Sequence, residues 1–307
     1  MTGSSGPRVL AIVGPTATGK TKLAVEVAER IRGEIVSVDS AQIYRGMDVG
    51  TAKPSPADLG RVPHHMIDVA DPSETISVSA FREKARAAVM EIVNRGRIPL
   101  IVGGSGLYFR AVVDPLEFPG TDSVVRARVA EEAEEVSADQ LHNRLAEKDP
   151  AAAARIDHRN TRRVIRALEV IELTGRKFSD FRTAWDSYDS IYDLKIAGLT
   201  FPLEDLDRRI NERVDQQMQS GLLQEVEELK AREIGKSVTS VQALGYAQLL
   251  SYLEGHGSIE DAALEIKART RRFARRQLTW FRADPRVHWF EANLPAAADF
   301  LQREASK

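Results

Sequence analysis

The stretch Arg8-Val-Leu-Ala-Ile-Val-Gly-Pro-Thr-Ala-Thr-Gly-Lys-Thr21 decides how this chain folds. Its first part, Arg8 to Val13, is short, apolar and β-branched, and Gly14 closes it, which predicts a buried strand. The second part, Gly14, Pro15, Thr16, Ala17, Thr18, Gly19, Lys20 and Thr21, fits G-x-x-x-x-G-K-[ST]. From Lys20 to Arg32 the apolar residues Leu23, Ala24, Val27, Ala28 and Ile31 share one helical face, and Gly33 stops the helix. Strand, glycine-rich loop and helix in this order make a phosphate-binding loop. The glycines let the backbone curl so that N–H groups point at phosphate oxygens, and the helix N-terminus adds partial positive charge. Lys20 is expected to neutralise the outer phosphates and Thr21 to offer its hydroxyl to Mg²⁺. The motif implies a diphosphate or polyphosphate ligand without naming a reaction.

Outward from this stretch, strands alternate with helices. Strands are expected at Glu34–Val38, His65–Val69 and Ile98–Val102, with a helix over Val78–Arg95. Such alternation predicts an α/β fold, a P-loop NTPase-like parallel sheet flanked by helices. The texture changes at Pro119-Gly120. Four charge-rich helical patterns follow, Val124–Glu135, Ala138–Glu147, Ala151–Ile156 and Thr161–Leu173, which predict an all-helical insertion over 121–193. Lys195–Phe201 reads as a return to the sheet. Helices are then expected at Leu203–Ser220, Leu222–Arg232, Gln242–Leu253 and Ile259–Arg282, before a last strand at Val287–Phe290. Residues 1–120 and 194–307 thus form the core with basic C-terminal helices.

The chain of 307 residues is long enough for a core plus an insertion. It has no cysteine, so disulfides, thiolate catalysis and Cys-based metal sites are excluded. No run approaches the roughly 18 apolar residues of a membrane span, the start lacks a secretory apolar segment, and a cytoplasmic address is expected. The net charge of −2 alone argues against nucleic acid. Its distribution argues otherwise: between Ala262 and Arg286 eight Lys and Arg face two acids, a local charge of +6.

Most phosphate-loop enzymes transfer or hydrolyse a phosphoryl group with the help of an acid after a second apolar strand. Here Ile98–Val102 ends in Gly103-Gly104-Ser105-Gly106 without an acid, which weakens a small-molecule kinase. The acid follows the other strand, in Asp39-Ser40-Ala41-Gln42. At the carboxyl edge of an open sheet Asp39 is a candidate metal ligand, general base or hydrogen-bond acceptor, and equally a helix cap. His64 and His65 point to opposite faces of a strand and lack partners at zinc-ligand spacing. One is read as structural, the other as a candidate neighbour of the substrate.

Gly14–Thr21, the run Asp39–Pro54, Pro63–Asp68, Val102–Tyr108, Arg166–Val170, Leu244–Tyr246 and Arg275–Arg282 occur in this order. Together they closely resemble the bacterial tRNA dimethylallyltransferases, or tRNA isopentenyltransferases, over Val9 to Trp289. The resemblance implies transfer of the dimethylallyl group of dimethylallyl diphosphate to N6 of adenosine 37, within A36-A37-A38 of the tRNA anticodon stem-loop. The phosphate loop would hold the diphosphate leaving group, with Mg²⁺ as cofactor and Thr21 as its ligand. Asp39 matches the general base, Ser105 a position usually Thr, and Arg213 a diphosphate-binding arginine. Lys20 completes the catalytic set, and Arg209, one turn before Arg213, faces the same side.

On the RNA side the resemblance assigns base contacts to Asp39, Ser40, Ala41 and Gln42, whose amide suits an adenine edge. Ser105, Arg126 and the cluster Arg162, Arg163 and Arg166 join them. So do Gln242, Gly245 and Tyr246, then Arg275, Arg276, Gln277, Trp280 and Arg282. Arg271, Arg275 and Arg282 lie close to one helix face, a stripe for phosphates. For Trp280 and Phe281 core packing is favoured over base stacking. Three other readings remain: a P-loop kinase, an isopentenyltransferase acting on free adenine nucleotide, and a non-catalytic RNA-binding module. The chain is expected to act as a monomer.

Overall fold

The structure is a computed structural model that describes residues 6–232 and 240–307, with the backbone alone for 182–184. Six strands form one wholly parallel sheet: β1 (Arg8–Val13), β2 (Gly33–Ser37), β3 (His64–His65), β4 (Ile98–Gly103), β5 (Asp193–Thr200) and β6 (Val287–Glu291). Their order is β3-β2-β4-β1-β5-β6. The chain leaves β1 for β2, two places away, and returns through β4, so the connection reverses direction between β1 and β4. In such sheets ligands bind at the carboxyl ends of the strands, at that reversal.

The pleat of β1 explains both cores. Val9, Ala11 and Val13 face one side of the sheet and Leu10 and Ile12 the other, and all are fully buried. On the first side lie α3 (Val78–Asn94), α4 (Gly106–Val113), α9 (Leu203–Gln219), α10 (Leu222–Ala231), α11 (Tyr246–Leu253) and α12 (Ile259–Arg282). On the second lie α1 (Lys20–Ile31) and α13 (Leu294–Ala305). A short α2 (Pro56–Arg61) begins at Ser55, whose hydroxyl accepts from the Asp58 N–H at 3.1 Å.

The sheet unit runs to Val113 and resumes at Ser190; residues Asp114 to Asp189 form a second compact unit. Both edges fall earlier than the range 121–193 expected from composition. The second unit holds α5 (Ser123–Glu134), α6 (Ala138–Lys148), α7 (Pro150–Ala153), α8 (Thr161–Thr174) and a 3₁₀ segment, Phe178–Trp185. Val129, Leu141, Leu145, Val164 and Ala167 fill a core of its own.

The expected α/β class and its six strands are present. The third strand is the exception. Met66 and Asp68 take left-handed φ of 65° and 56°, which end β3 after two residues. The helix expected from Gln242 starts only at Tyr246, because Gly245 has φ 94°. Among the described residues no helix is long and apolar enough to cross a membrane.

Candidate functional site

The expected phosphate loop, residues 14–19, joins β1 to α1 at the carboxyl edge. Gly14 has φ 138°, and a Cβ there would stand 2.3 Å from the Leu199 carbonyl oxygen, so only glycine fits against β5. Gly19 is left-handed (φ 86°) and precedes α1. The Thr18 hydroxyl, fully buried, donates to the Pro15 carbonyl at 2.9 Å and closes the curl from within. Neighbours hold it from outside. Arg209 Nε donates to the Ala17 carbonyl at 2.8 Å while its guanidinium lies over the Phe201 ring, 4.4 Å from the centroid. Gln277 Oε1 accepts from the Thr16 N–H at 3.0 Å, and its Nε2 donates to the Gly104 carbonyl at 2.9 Å.

Three charged groups share this edge. Lys20 Nζ donates to the Pro15 carbonyl at 2.6 Å. Burial lowers its pKa to about 7; Arg213 pushes the same way and Asp39 opposes it. Burial also lowers the pKa of Arg213, again against the pull of Asp39. Two partly buried cations therefore face one carboxylate. Asp39 Oδ1 accepts from the Ala41 N–H at 2.9 Å and from the Gln42 N–H at 3.4 Å. This tight Asx turn fixes the carboxyl and leaves Oδ2 with no hydrogen bond among the described residues. Ser105 lies between β4 and α4, and its carbonyl accepts the first bond of the helix from the Phe109 N–H at 2.9 Å. Tyr108, which ends the Val102–Tyr108 stretch, also belongs here. Its phenol is raised to about 12 by burial, then by Tyr44 and Asp39.

Several residues expected at the RNA surface sit elsewhere. Gln42 uses its amide within the chain: Oε1 accepts from the Ser37 hydroxyl at 2.9 Å, and Nε2 approaches the Thr51 and Ala52 carbonyls at 3.3 and 3.4 Å. Tyr246 is 1% exposed and its hydroxyl donates to Glu225 at 2.6 Å, so it is a core residue. Gly245 is buried as well, whereas Gln242 is exposed. Gln277 is buried between two loops. Trp280 is 42% exposed and packs where a Cβ on Gly106 would stand 2.6 Å from its ring, and Phe281 is in the core against Phe109. Packing therefore accounts for Phe281, whereas Trp280 packs against Gly106 and keeps part of its ring exposed.

The basic stripe of α12 divides in two. Lys267, Arg271 and Arg275 meet Asp215, Asn211 and Asp207 of α9 at 2.6, 2.6 and 2.7 Å. Both series step by four residues in opposite directions, a polar seam between antiparallel helices. Arg275 is thus paired. Arg272, Arg276 and Arg282 are exposed without an ion pair among the described residues. In the second unit, Arg126 and Arg166 both reach the fully buried Glu169 at 3.0 Å, and Arg166 also donates to the Pro119 carbonyl at 2.6 Å. They close that unit's first loop. Arg162 and Arg163, with Arg159 beside them, are exposed at the start of α8.

His65 Nε2 lies 2.7 Å from Glu34, which also takes Arg95 at 2.7 Å. Glu34 opens β2, at the far end from the phosphate loop. His64 Nδ1 contacts the Val62 carbonyl at 2.7 Å, and its Nε2 is buried without a partner among the described residues. Neither histidine stands at the carboxyl edge, so both are read as structural.

A family model described as IPP transferase matches residues 42–284. A tRNA dimethylallyltransferase of Streptomyces avermitilis is 47% identical over 96% of this chain and 93% of its own. One from Kineococcus radiotolerans is 50% identical over 92% and 90%. Among solved structures, the full-length tRNA isopentenylpyrophosphate transferase of Bacillus halodurans is 42% identical. It covers 97% of both chains with a TM-score of 0.72. A eukaryotic dimethylallyltransferase acting on tRNA is 26% identical, covering 94% of this chain and 74% of its own, with a TM-score of 0.80. With 47% identity to a curated relative over 96% of its length, the chain belongs to the tRNA dimethylallyltransferase family.

Proposed function

We propose that the protein transfers a dimethylallyl group from dimethylallyl diphosphate to N6 of adenosine 37, within A36-A37-A38 of a tRNA, and releases diphosphate. The observation that carries this reading is the pair of partly buried cations, Lys20 and Arg213, set against the single carboxylate of Asp39. A site with surplus buried positive charge is incomplete until an anion enters it. A diphosphate supplies that anion, and the loop N–H groups and the N-terminus of α1 add to its binding.

The chemistry then follows from the residues. The bond from the allylic carbon to the diphosphate oxygen breaks, and its electron pair stays on that oxygen. Lys20, Arg213 and the loop stabilise the charge that grows there. The N6 lone pair forms the new bond to carbon, and the N6 proton passes to Asp39 Oδ2, the oxygen that the Asx turn leaves open. The adenine must leave its stack to reach this point. The Ser105 hydroxyl, at the start of α4, is the donor for a diphosphate oxygen or the incoming base. For Mg²⁺ the donor set is lean: among the described residues no three carboxylates or histidines cluster. That fits an ion held by the Thr21 hydroxyl, diphosphate oxygens and water, as Mg²⁺ commonly is. When bound it supplies further neutralisation of the leaving group.

Arg162, Arg163, Arg272, Arg276 and Arg282 are the exposed cations assigned to tRNA phosphates. Labelled dimethylallyl diphosphate, Mg²⁺ and a tRNA bearing A36-A37-A38 test the reading: label is expected on the tRNA. Label on free AMP instead would assign the nucleotide-directed reaction. Asp39→Ala is expected to abolish transfer while tRNA binding stays within about threefold, and a near-normal rate would remove Asp39 as base.

A further inference from the structure

We propose that Glu225, on α10, is a positioning residue for the turn that carries Asp39; the proposal rests on Asp39 being the base. The Glu225 carboxylate collects four donors. Oε2 accepts from the N–H groups of Asp48 and Val49 at 2.7 and 2.8 Å, and Oε1 accepts from the Gly50 N–H at 3.0 Å and the Tyr246 hydroxyl at 2.6 Å. Three consecutive amides of one loop thus point at one carboxylate, a nest closed by a side chain instead of a ligand. Gln217 of α9 takes the other side of the same peptides, its Nε2 donating to the Val49 and Gly50 carbonyls at 2.8 and 2.9 Å. The Tyr246 ring presses on Gly50, where a Cβ would stand 2.5 Å from it.

The grip passes on to Asp39. The residues after the nest, Thr51 and Ala52, turn their carbonyls to Gln42 Nε2 at 3.3 and 3.4 Å. Gln42 Oε1 is held by the Ser37 hydroxyl at 2.9 Å, and the Gln42 N–H donates to Asp39 Oδ1 at 3.4 Å. A loop that shifts at Gly50 therefore drags Gln42 and rotates the carboxyl that must accept the N6 proton. Misplacement of about 1 Å at a reacting group suffices to cost about a hundredfold in rate. The phosphate loop is outside this chain of contacts, because Arg209 and Gln277 hold it separately.

Glu225→Gln tests the proposal, since its amide nitrogen cannot accept and must face an N–H donor. Amide exchange followed by mass spectrometry should quicken in residues 39–52 and stay unchanged in β1 and β4. Transfer should fall at least about tenfold in kcat, with KM for dimethylallyl diphosphate, pyrophosphate affinity and tRNA affinity within about twofold. Gly50→Ala, which presses the loop from the Tyr246 side, should reproduce both effects, and Tyr246→Phe, which removes one donor of four, should give a smaller one. Unchanged exchange in 39–52 would overturn the proposal. So would a normal kcat beside faster exchange, or a joint loss of melting temperature, pyrophosphate affinity and rate. Should Glu225→Gln fail to fold, Gly50→Ala gives the same readouts. If the wild type labels no tRNA, the assigned reaction fails, while the exchange data still decide whether Glu225 holds the turn.

Discussion

Lys20 shows at the residue scale what the site costs. A lysine in a folded core is disfavoured as a cation, and beside Arg213 it is disfavoured further, so its pKa falls to about 7. The sign of the linkage follows. The folded pKa lies below the unfolded value, so Lys20 destabilises the fold most below pH 7, and the penalty shrinks as the pH rises toward the unfolded value. Lys20→Met is therefore expected to raise Tm at pH 6 by a few degrees, with a smaller gain at pH 9, and to lose pyrophosphate binding. Scanning calorimetry at both pH values checks this, and a lower Tm at pH 6 would contradict it. A ligand anion should restore the lost proton. At pH 8 the wild type is expected to take up close to one more proton on binding pyrophosphate than Lys20→Arg, whose side chain stays charged. Titration calorimetry in buffers of different ionisation heat counts those protons; equal counts would place the titration elsewhere.

At the scale of elements, the pairing of α9 with α12 decides which cations are open to an RNA. Asp207 binds Arg275 through both oxygens, at 3.1 and 2.7 Å, and largely cancels its charge. Arg276, one residue on, has no such partner among the described residues. Arg276→Ala is expected to reduce the slope of log K against log salt for tRNA by about one, and Arg275→Ala by clearly less. Asp207→Asn should release Arg275 and steepen the slope by up to one. Equal slopes for Arg275→Ala and Arg276→Ala, from filter binding across salt concentrations, would mean that the seam does not discriminate. The same helices show what a single sequence can reveal. Periodicity exposed the basic face of α12, because charge and spacing are local. It could not reveal that Asp207, Asn211 and Asp215, far upstream, are its partners. Nor can local pattern show that the Tyr246 hydroxyl and the Gln277 amide are taken up inside the fold by distant acceptors, Glu225 and the Gly104 carbonyl. No sequence pattern marks α4 and α13, because Gly106 and Pro295 stand in their first turns and resemble loop residues.

For the whole molecule, the sheet was the readable part and the insertion edges were not. Strand and helix periods are set by local burial, whereas the ends of an inserted unit are set by where two distant residues meet. Those residues are Val113 and Ser190. The Val113 carbonyl accepts from the Ile191 N–H at 2.9 Å and from the Ser190 hydroxyl at 3.1 Å, so the chain leaves and re-enters the sheet unit at one point. The sheet unit keeps both of its cores without residues 114–189, and those residues pack around Leu141, Leu145 and Val164. Units with separate cores and adjoining ends generally tolerate excision. Replacing residues 114–189 with a short Gly-Ser link is therefore expected to leave a cooperative thermal transition and pyrophosphate affinity within about threefold of the full chain. The phosphate loop, Lys20, Arg213 and Asp39 all lie in the sheet unit. Affinity for tRNA should drop, because Arg159, Arg162 and Arg163 go with the insertion, and every phosphate left without its arginine lowers the salt slope by about one. Circular dichroism, pyrophosphate titration and tRNA binding across salt concentrations measure the three quantities. Loss of pyrophosphate binding from a folded, shortened chain would show that the diphosphate site draws on the insertion, and an unchanged salt slope would remove its arginines from the RNA surface.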